Sequence, residues 1–216
     1  YKTISMWDSF HGASLDAISI GGESLFRKDL GPLMPGAIHV PPPSRHNCHF
    51  NCTNDEHINC IKYLEYIIEM EGDIGAIIAE PMRWTTLEMP PENYWKKIRE
   101  ICDRLGILLI FDEIPSALGR TGKMFVCEHF DVIPDMLVIG KGLGGGIFPM
   151  AALIAREDLD IVGDVALGHY THEKSSVGCA AGMATIQCIL EDGLIEKAVH
   201  LGKYAMERLT KMKSKF

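Results

Sequence analysis

From Asp55 to Glu71, the apolar residues Ile58, Ile61, Leu64 and Ile68 recur at steps of three and four. That spacing predicts one buried face of an amphipathic helix, which Gly72 can end. Ile74 to Ala79 is a short apolar run without alternation, the pattern of a strand covered on both faces in a parallel sheet, and it stops at Glu80-Pro81. After a proline-containing loop, Tyr94, Ile98, Ile101, Cys102 and Leu105 mark a second amphipathic helix stopped by Gly106. Ile107 to Phe111 repeats the strand pattern and ends at Asp112-Glu113. Strand, helix and strand in this order predict a βαβ unit with a right-handed crossover and a parallel strand pair. Met136 to Ile139 continues the series as a third strand ending at Gly140-Lys141, and Met150 to Ala155 as a fourth. Two helices follow, over Val177 to Leu190 and Leu194 to Met212, separated by Asp192-Gly193. The chain opens in what reads as a strand, and no internal repeat or low-complexity linker breaks the pattern. The fold class expected is α/β, a three-layer αβα arrangement around a mainly parallel sheet.

Composition narrows this picture without changing it. A chain of 216 residues with 47% hydrophobic and 23% charged residues is long enough to bury a core as one domain. A net charge of −8 argues against a nucleic-acid or anionic-membrane partner, which clustered Lys and Arg would serve. No apolar run approaches the roughly 20 residues of a bilayer span, and Tyr1-Lys2-Thr3-Ile4-Ser5 lacks a signal-peptide layout, so a cytoplasmic protein without membrane contact is expected. Seven cysteines are an odd number and read as reduced thiols with no disulfide. His46, Cys48, His49, Cys52, His57 and Cys60 crowd together, and such residue types can ligate zinc. Their spacing contains no C-x-x-C pair, however, and Thr53-x-x-Glu56 reads as a capping box opening a helix inside the cluster. An ordinary loop and helix start is therefore the expectation, with no metal.

Ligands of open parallel sheets bind at the carboxyl ends of strands, where Glu80, Asp112 and Lys141 stand at the ends of three successive ones. They are expected to converge on one crevice, the bland alternative being strand-end residues that merely meet solvent. An amine and a carboxylate suit pyridoxal 5′-phosphate (PLP) chemistry. The amine holds the aldehyde carbon and later moves protons, while the carboxylate keeps the pyridine nitrogen protonated. A lysine near a cationic ring and away from bulk water loses part of its preference for the charged form, which frees its amine. The glycines of Lys141-Gly142-Leu143-Gly144-Gly145-Gly146 leave room for a flat ring, and the run lacks the residue order of a phosphate-binding P-loop.

At these residues the sequence resembles the class III aminotransferases, fold type I PLP enzymes that include ornithine and 4-aminobutyrate aminotransferases. Leu109-Ile110-Phe111-Asp112-Glu113-Ile114 followed by Gly119-Arg120-Thr121-Gly122 looks like the family's Asp-Glu-Val signature with its Gly-Arg-Thr-Gly ending. Pro134-Asp135, Lys141, Gly144-Gly145-Gly146 and Pro149 match its Schiff-base segment, and Ser9-Phe10-His11-Gly12 its aromatic-His-Gly motif. Thr171 falls where the family's interface threonine lies, ahead of Cys179-Ala180-Ala181. The resemblance implies the PLP-dependent transferase-like major domain, with Lys141 bearing the Schiff base and shuttling protons, and Asp112 pairing with the pyridinium. Glu80, at the end of its own strand, is expected to line the same cofactor site. Phe10 is expected to stack on one ring face and Ile114 to press on the other, with His11 beside the ring. Thr171 would reach the phosphate of a partner subunit's cofactor, which implies a homodimer with shared active sites. The family's Gly-Ser phosphate turn is expected before Tyr1 and its small domain, with a carboxylate-binding arginine, after Phe216. The chain thus reads as the large-domain portion over 1–216.

The activity implied is amino-group transfer from a small-molecule amine or amino acid to a 2-oxo acid. Two departures open a second reading. Pro115 replaces a glutamine that donates to the cofactor's phenolic oxygen, and Arg83-Trp84-Thr85 replaces the Gln-Gly-Glu that follows Glu-Pro in many relatives. Thr171-His172-Glu173-Lys174-Ser175-Ser176 resembles a branch of the family that includes lyases. The alternative is a PLP ammonia- or phospho-lyase on a small amino-phospho or amino-phosphono compound, or an amino-acid epimerase.

Overall fold

A computed structural model of the chain describes residues 1–44, 48–52, 58–165 and 170–213. The capping box at Thr53–Glu56 lies outside them. Six strands, β1 (Lys2–Met6), β2 (Ala37–Val40), β3 (Ile74–Ala79), β4 (Leu108–Asp112), β5 (Met136–Ile139) and β6 (Ala152–Ala155), form a sheet in the order β2-β1-β3-β4-β5-β6. The helices are α1 (Leu15–Ile20), α2 (Ser24–Arg27), α3 (Ile58–Glu71), α4 (Tyr94–Leu105), α5 (Ser176–Glu191) and α6 (Leu194–Lys213). Two compact units result, one of Tyr1–Asp112 with Phe130–Val138, the other of Glu113–His129 with Ile139–Phe216.

In the first unit every strand pairing is parallel, with Ile4 opposite Ile38 and Ile77, Ile77 opposite Leu109, and Phe111 opposite Leu137. The carboxyl ends of β1 to β5 therefore share one edge. Ile4, Ile77, Leu109 and Phe111 of the strands and Ile98 and Trp95 of α4 are all buried and belong to the unit's core. Trp95 packs edge-on against Phe111 at 4.9 Å, and its indole N–H donates to the Pro81 carbonyl at 2.9 Å, so a large apolar surface is buried without stranding its polar atom. Asp135 fixes the neighbouring register, because its Oδ2 accepts from Leu109 N at 2.7 Å and from the Arg99 guanidinium at 2.8 Å.

The second unit explains the Gly119-Arg120-Thr121-Gly122 run. Gly119 and Gly122 have φ of 90° and 86°, and a Cβ would stand 3.1 Å from Ile195 and 2.6 Å from Val199 of α6. Glycine is required there by both conformation and close approach. Glu113, fully buried, accepts from the backbone N–H of Val126 and Cys127 at 2.6 and 2.8 Å and so fixes the following turn. Gly182 of α5 lies against Met150 and the Leu143 carbonyl, which seats the turn that carries Lys141.

The strand expected at the start of the chain is β1, and α1, α2 and β2 follow it, short elements with too few apolar positions for periodicity to reveal. Two strand starts move. The strand expected from Ile107 begins at Leu108, because Ile107 N–H still bonds the Cys102 carbonyl of the α4 cap at 3.0 Å. The strand expected from Met150 begins at Ala152, Met150 being packed against Gly144 and Gly182. Among the described residues no helix is long and apolar enough to cross a membrane.

Candidate active site

At the carboxyl edge of the first unit, Asp112 ends β4 with its side chain 4% exposed, and Oδ2 lies 2.9 Å from Nδ1 of His11. His11 reaches it from the loop after β1. Ser9 shapes that loop, since its hydroxyl donates to the Met6 carbonyl at 2.7 Å while its own carbonyl accepts from Gly22 and Glu23 at 2.9 and 3.0 Å. A carboxylate only accepts, so Nδ1 carries the shared proton. Among the described residues the buried Nε2 of the same ring has no hydrogen-bond partner. A buried polar atom left this way marks a place where a ligand or water completes the structure.

Glu80, at the end of β3, accepts from Phe10 N–H with one oxygen and from Trp84 N–H with the other, both at 3.2 Å. Its carboxylate thus ties the loop after β1 to the loop after β3, a holding role that the residue type alone did not reveal. Phe10 is half-buried and packs against Phe26 with centroids 4.5 Å apart and planes tilted 48°. The first unit therefore brings together four of the expected residues: Phe10, His11, Glu80 and Asp112.

In the second unit Lys141 opens a short 3-10 turn, Lys141–Gly144, with an exposed side chain and φ of 45°. A left-handed lysine is strained by of order 1 kcal/mol or more, and such residues concentrate at functional positions. Gly140, the preceding residue, lies against Ile114, whose carbons would stand 3.5 Å from a Cβ there. Ile114 is thereby placed beside the lysine-bearing backbone. Thr171 is exposed in the turn leading to α5.

Three further features were not read from sequence as site elements. Glu113 is consumed by two backbone amides, and burial pushes its carboxyl above the ordinary glutamate value despite them. A cleft of about 1060 Å³ in the first unit is lined by Trp7, Arg27, Lys28, Phe50 and Tyr63 among others. The Arg27 guanidinium sits 5.3 Å over the Trp7 ring, and Trp7 stacks on His39, which burial and Arg27 hold below the usual histidine range. Adjacent Arg27-Lys28 was the available signal for this basic wall. Finally, Cys48, Cys52 and Cys60 bring their sulfurs within 4.8 Å of one another, while His49 is exposed and His46 and His57 lie outside the described residues. None of the seven cysteines forms a disulfide.

Residues 1–216 match the family model for class III aminotransferases, and the chain belongs to that family. It is 46% identical to the (R)-1-hydroxy-2-aminoethylphosphonate ammonia-lyase of Vibrio splendidus (strain 12B01), covering 100% of this chain and 48% of the relative. It is 35% identical to the putrescine aminotransferase of Pectobacterium atrosepticum, covering 100% of this chain and 44% of that enzyme. Among solved structures, the PLP-bound (internal aldimine) form of an amine transaminase from an uncultivated Pseudomonas species superposes with a TM-score of 0.92 at 28% identity, over 100% of this chain and 51% of that one. The chain spans about half the length of the relatives it matches.

Proposed function

We propose that this class III family member uses pyridoxal phosphate to release ammonia from a small amine bearing an anionic phosphorus group. The observation that carries the cofactor part is the buried Asp112 carboxylate at the carboxyl end of β4, backed by His11. A pyridine nitrogen needs such a water-excluded acid to stay protonated, and the orphaned His11 Nε2 marks space for a bound group beside it. When bound, the cofactor supplies an electron sink that lets a bond at the amine-bearing carbon break heterolytically. The residues that would hold it are Lys141, through its amine, and Asp112, through its carboxylate, with Phe10, Ile114 and His11 orienting the ring. Glu80 holds the Phe10 backbone in place. Thr171 would serve a partner subunit's phosphate in a homodimer. Lys141 takes the proton from the amine-bearing carbon as general base and gives it to a hydroxyl that leaves the neighbouring carbon as water, and hydrolysis of the resulting enamine yields the carbonyl product and ammonia with no oxidant.

Elimination is favoured by the 46% likeness to an ammonia-lyase over the whole chain and by Arg83-Trp84-Thr85 after Glu80-Pro81. Amino transfer to a 2-oxo acid is the second reading, favoured by the putrescine aminotransferase and the transaminase structure. Ammonia release measured with and without a 2-oxo acid separates the two. Release without acceptor supports elimination, and turnover that strictly requires the acceptor replaces it with transfer. Lys141→Ala is expected to lower turnover by at least roughly 10²-fold and to abolish borohydride fixation of the cofactor to the Lys141 peptide, with little change in melting temperature because the side chain is exposed. Retained fixation or unchanged turnover would remove Lys141 from the site.

A further inference from the structure

We propose that Cys48, Cys52 and Cys60 form a thiolate site for a thiophilic d10 cation of the zinc class, independent of the PLP chemistry. The Sγ atoms of Cys48 and Cys60 are 3.2 Å apart, those of Cys52 and Cys60 3.4 Å, and all three lie within 4.8 Å of one another. Three sulfurs bound to one tetrahedral ion at Zn–S distances of about 2.3 Å stand about 3.8 Å apart, so a small contraction or expansion of this triangle admits the ion. A disulfide requires about 2.05 Å between two sulfurs and would leave the third thiol unused in the same cluster.

The surrounding backbone is built for the same purpose. Cys48 to Cys52 make a tight turn in which Asn51 N–H bonds the Cys48 carbonyl at 3.1 Å and Asn51 has φ of 49°. Cys60, in the first turn of α3, is 5% exposed and supplies the buried corner, while Cys48 and Cys52 are partly exposed and give an ion a route in. The three protein ligands leave one tetrahedral position for water.

The site would clamp one wall of the cleft. Phe50 lies between two of the ligands and lines the large cleft with Tyr63 of α3, the two rings 4.8 Å apart. Asn59 Nδ2 of α3 also donates to the Phe50 carbonyl, a long bond of 3.4 Å. An ion shared between this loop and Cys60 would hold Phe50 in register with Tyr63.

The test uses the full chain, reduced and stripped with a chelator, then titrated with Co²⁺ alone and Zn²⁺ alone. About one equivalent of Co²⁺ should produce a sulfur-to-metal charge-transfer band with the visible d–d bands of tetrahedral coordination, and Zn²⁺ should displace it. Binding should release protons and protect these three thiols from alkylation. Cys52→Ser, at a partly exposed position that leaves the core intact, should weaken Co²⁺ binding by more than about 100-fold, and Cys60→Ser should abolish the band. Cys102→Ser and Cys179→Ser should leave it unchanged. No band at any cobalt concentration, or a band that survives both Cys52→Ser and Cys60→Ser, overturns the site. A Cys48–Cys60 disulfide formed in air, in a chain that takes up no metal when reduced, overturns it as well and assigns the cluster to thiol oxidation.

Discussion

Asp112 and Glu113 are consecutive, acidic and buried, at 3% and 0% exposure, yet they meet entirely different partners. Glu113 spends both oxygens on fixed backbone amides, those of Val126 and Cys127. Asp112 presents an oxygen to His11, a side chain on a loop whose far ring nitrogen is unpartnered among the described residues. Asp135, a third buried acid, resembles Glu113, since one oxygen takes both Leu109 N–H and the Arg99 guanidinium. Burial of a carboxylate therefore does not identify chemistry here. What separates the acids is whether their partners are immovable parts of the fold.

Substitution should split the three along that line. Asp112→Asn keeps the shape and an acceptor for His11, so stability should change by no more than about 1 kcal/mol. Turnover should fall by roughly 10² to 10³-fold, the usual effect of removing one electrostatic partner from a reacting group. Thermal unfolding beside steady-state kinetics checks this, and a variant that melts early while keeping its turnover would place Asp112 with the structural acids. Asp135→Ala should do the reverse. It strips the partly buried Arg99 of its partner and the Leu109 amide of its acceptor, costing about 3 kcal/mol in denaturant unfolding, while cofactor affinity per folded molecule stays constant.

Glu113→Gln should cost about 2 kcal/mol near neutral pH, because an amide presents one acceptor oxygen to two N–H donors. The pH dependence fixes the sign. Burial raises the Glu113 carboxyl above its ordinary value of 4.5, so the folded chain holds that proton more tightly than the unfolded one. The stability linked to that proton is complete below 4.5 and is lost as pH rises through the raised value. Glutamine does not titrate, so the wild-type advantage over Glu113→Gln should shrink across that range. An advantage that grows with pH would mean that the two amides outweigh desolvation.

The difference among these acids was only half legible in the sequence. Apolar runs located β3, β4 and β5 within a residue, because strands covered on both faces tolerate little else. The Asp112-Glu113 pair was visible as a motif, but which oxygen meets which amide depends on a turn at Val126 that no local pattern encodes. Glu80 was expected at the site for its charge, whereas its two bonds to Phe10 and Trp84 depend on loops brought together by the β1–β3 pairing. The cysteine triad shows the same limit. Spacing argued against a metal, yet a turn at Asn51 and the first turn of α3 gather three sulfurs that a linear motif does not contain.

Glu80 is the intermediate case, and its substitution is the smallest and sharpest probe. Its carboxylate is fixed by backbone amides, as Glu113 is, but the amides belong to loops that present Phe10 and Trp84 at the sheet edge. Glu80→Gln leaves one N–H facing an amide group that cannot accept, and the Trp84 bond is exposed enough for water to replace it. The expected loss is about 1 kcal/mol or less. If the bond to Phe10 is the one kept, hydrogen exchange should speed up at Trp84 alone and cofactor affinity should be unchanged. If it is the one lost, the Phe10 amide should exchange faster and PLP should bind several-fold more weakly, because the ring proposed to orient the cofactor would have lost its backbone anchor. Faster exchange at Phe10 with unchanged PLP affinity would remove Phe10 from the site while leaving Asp112 in it.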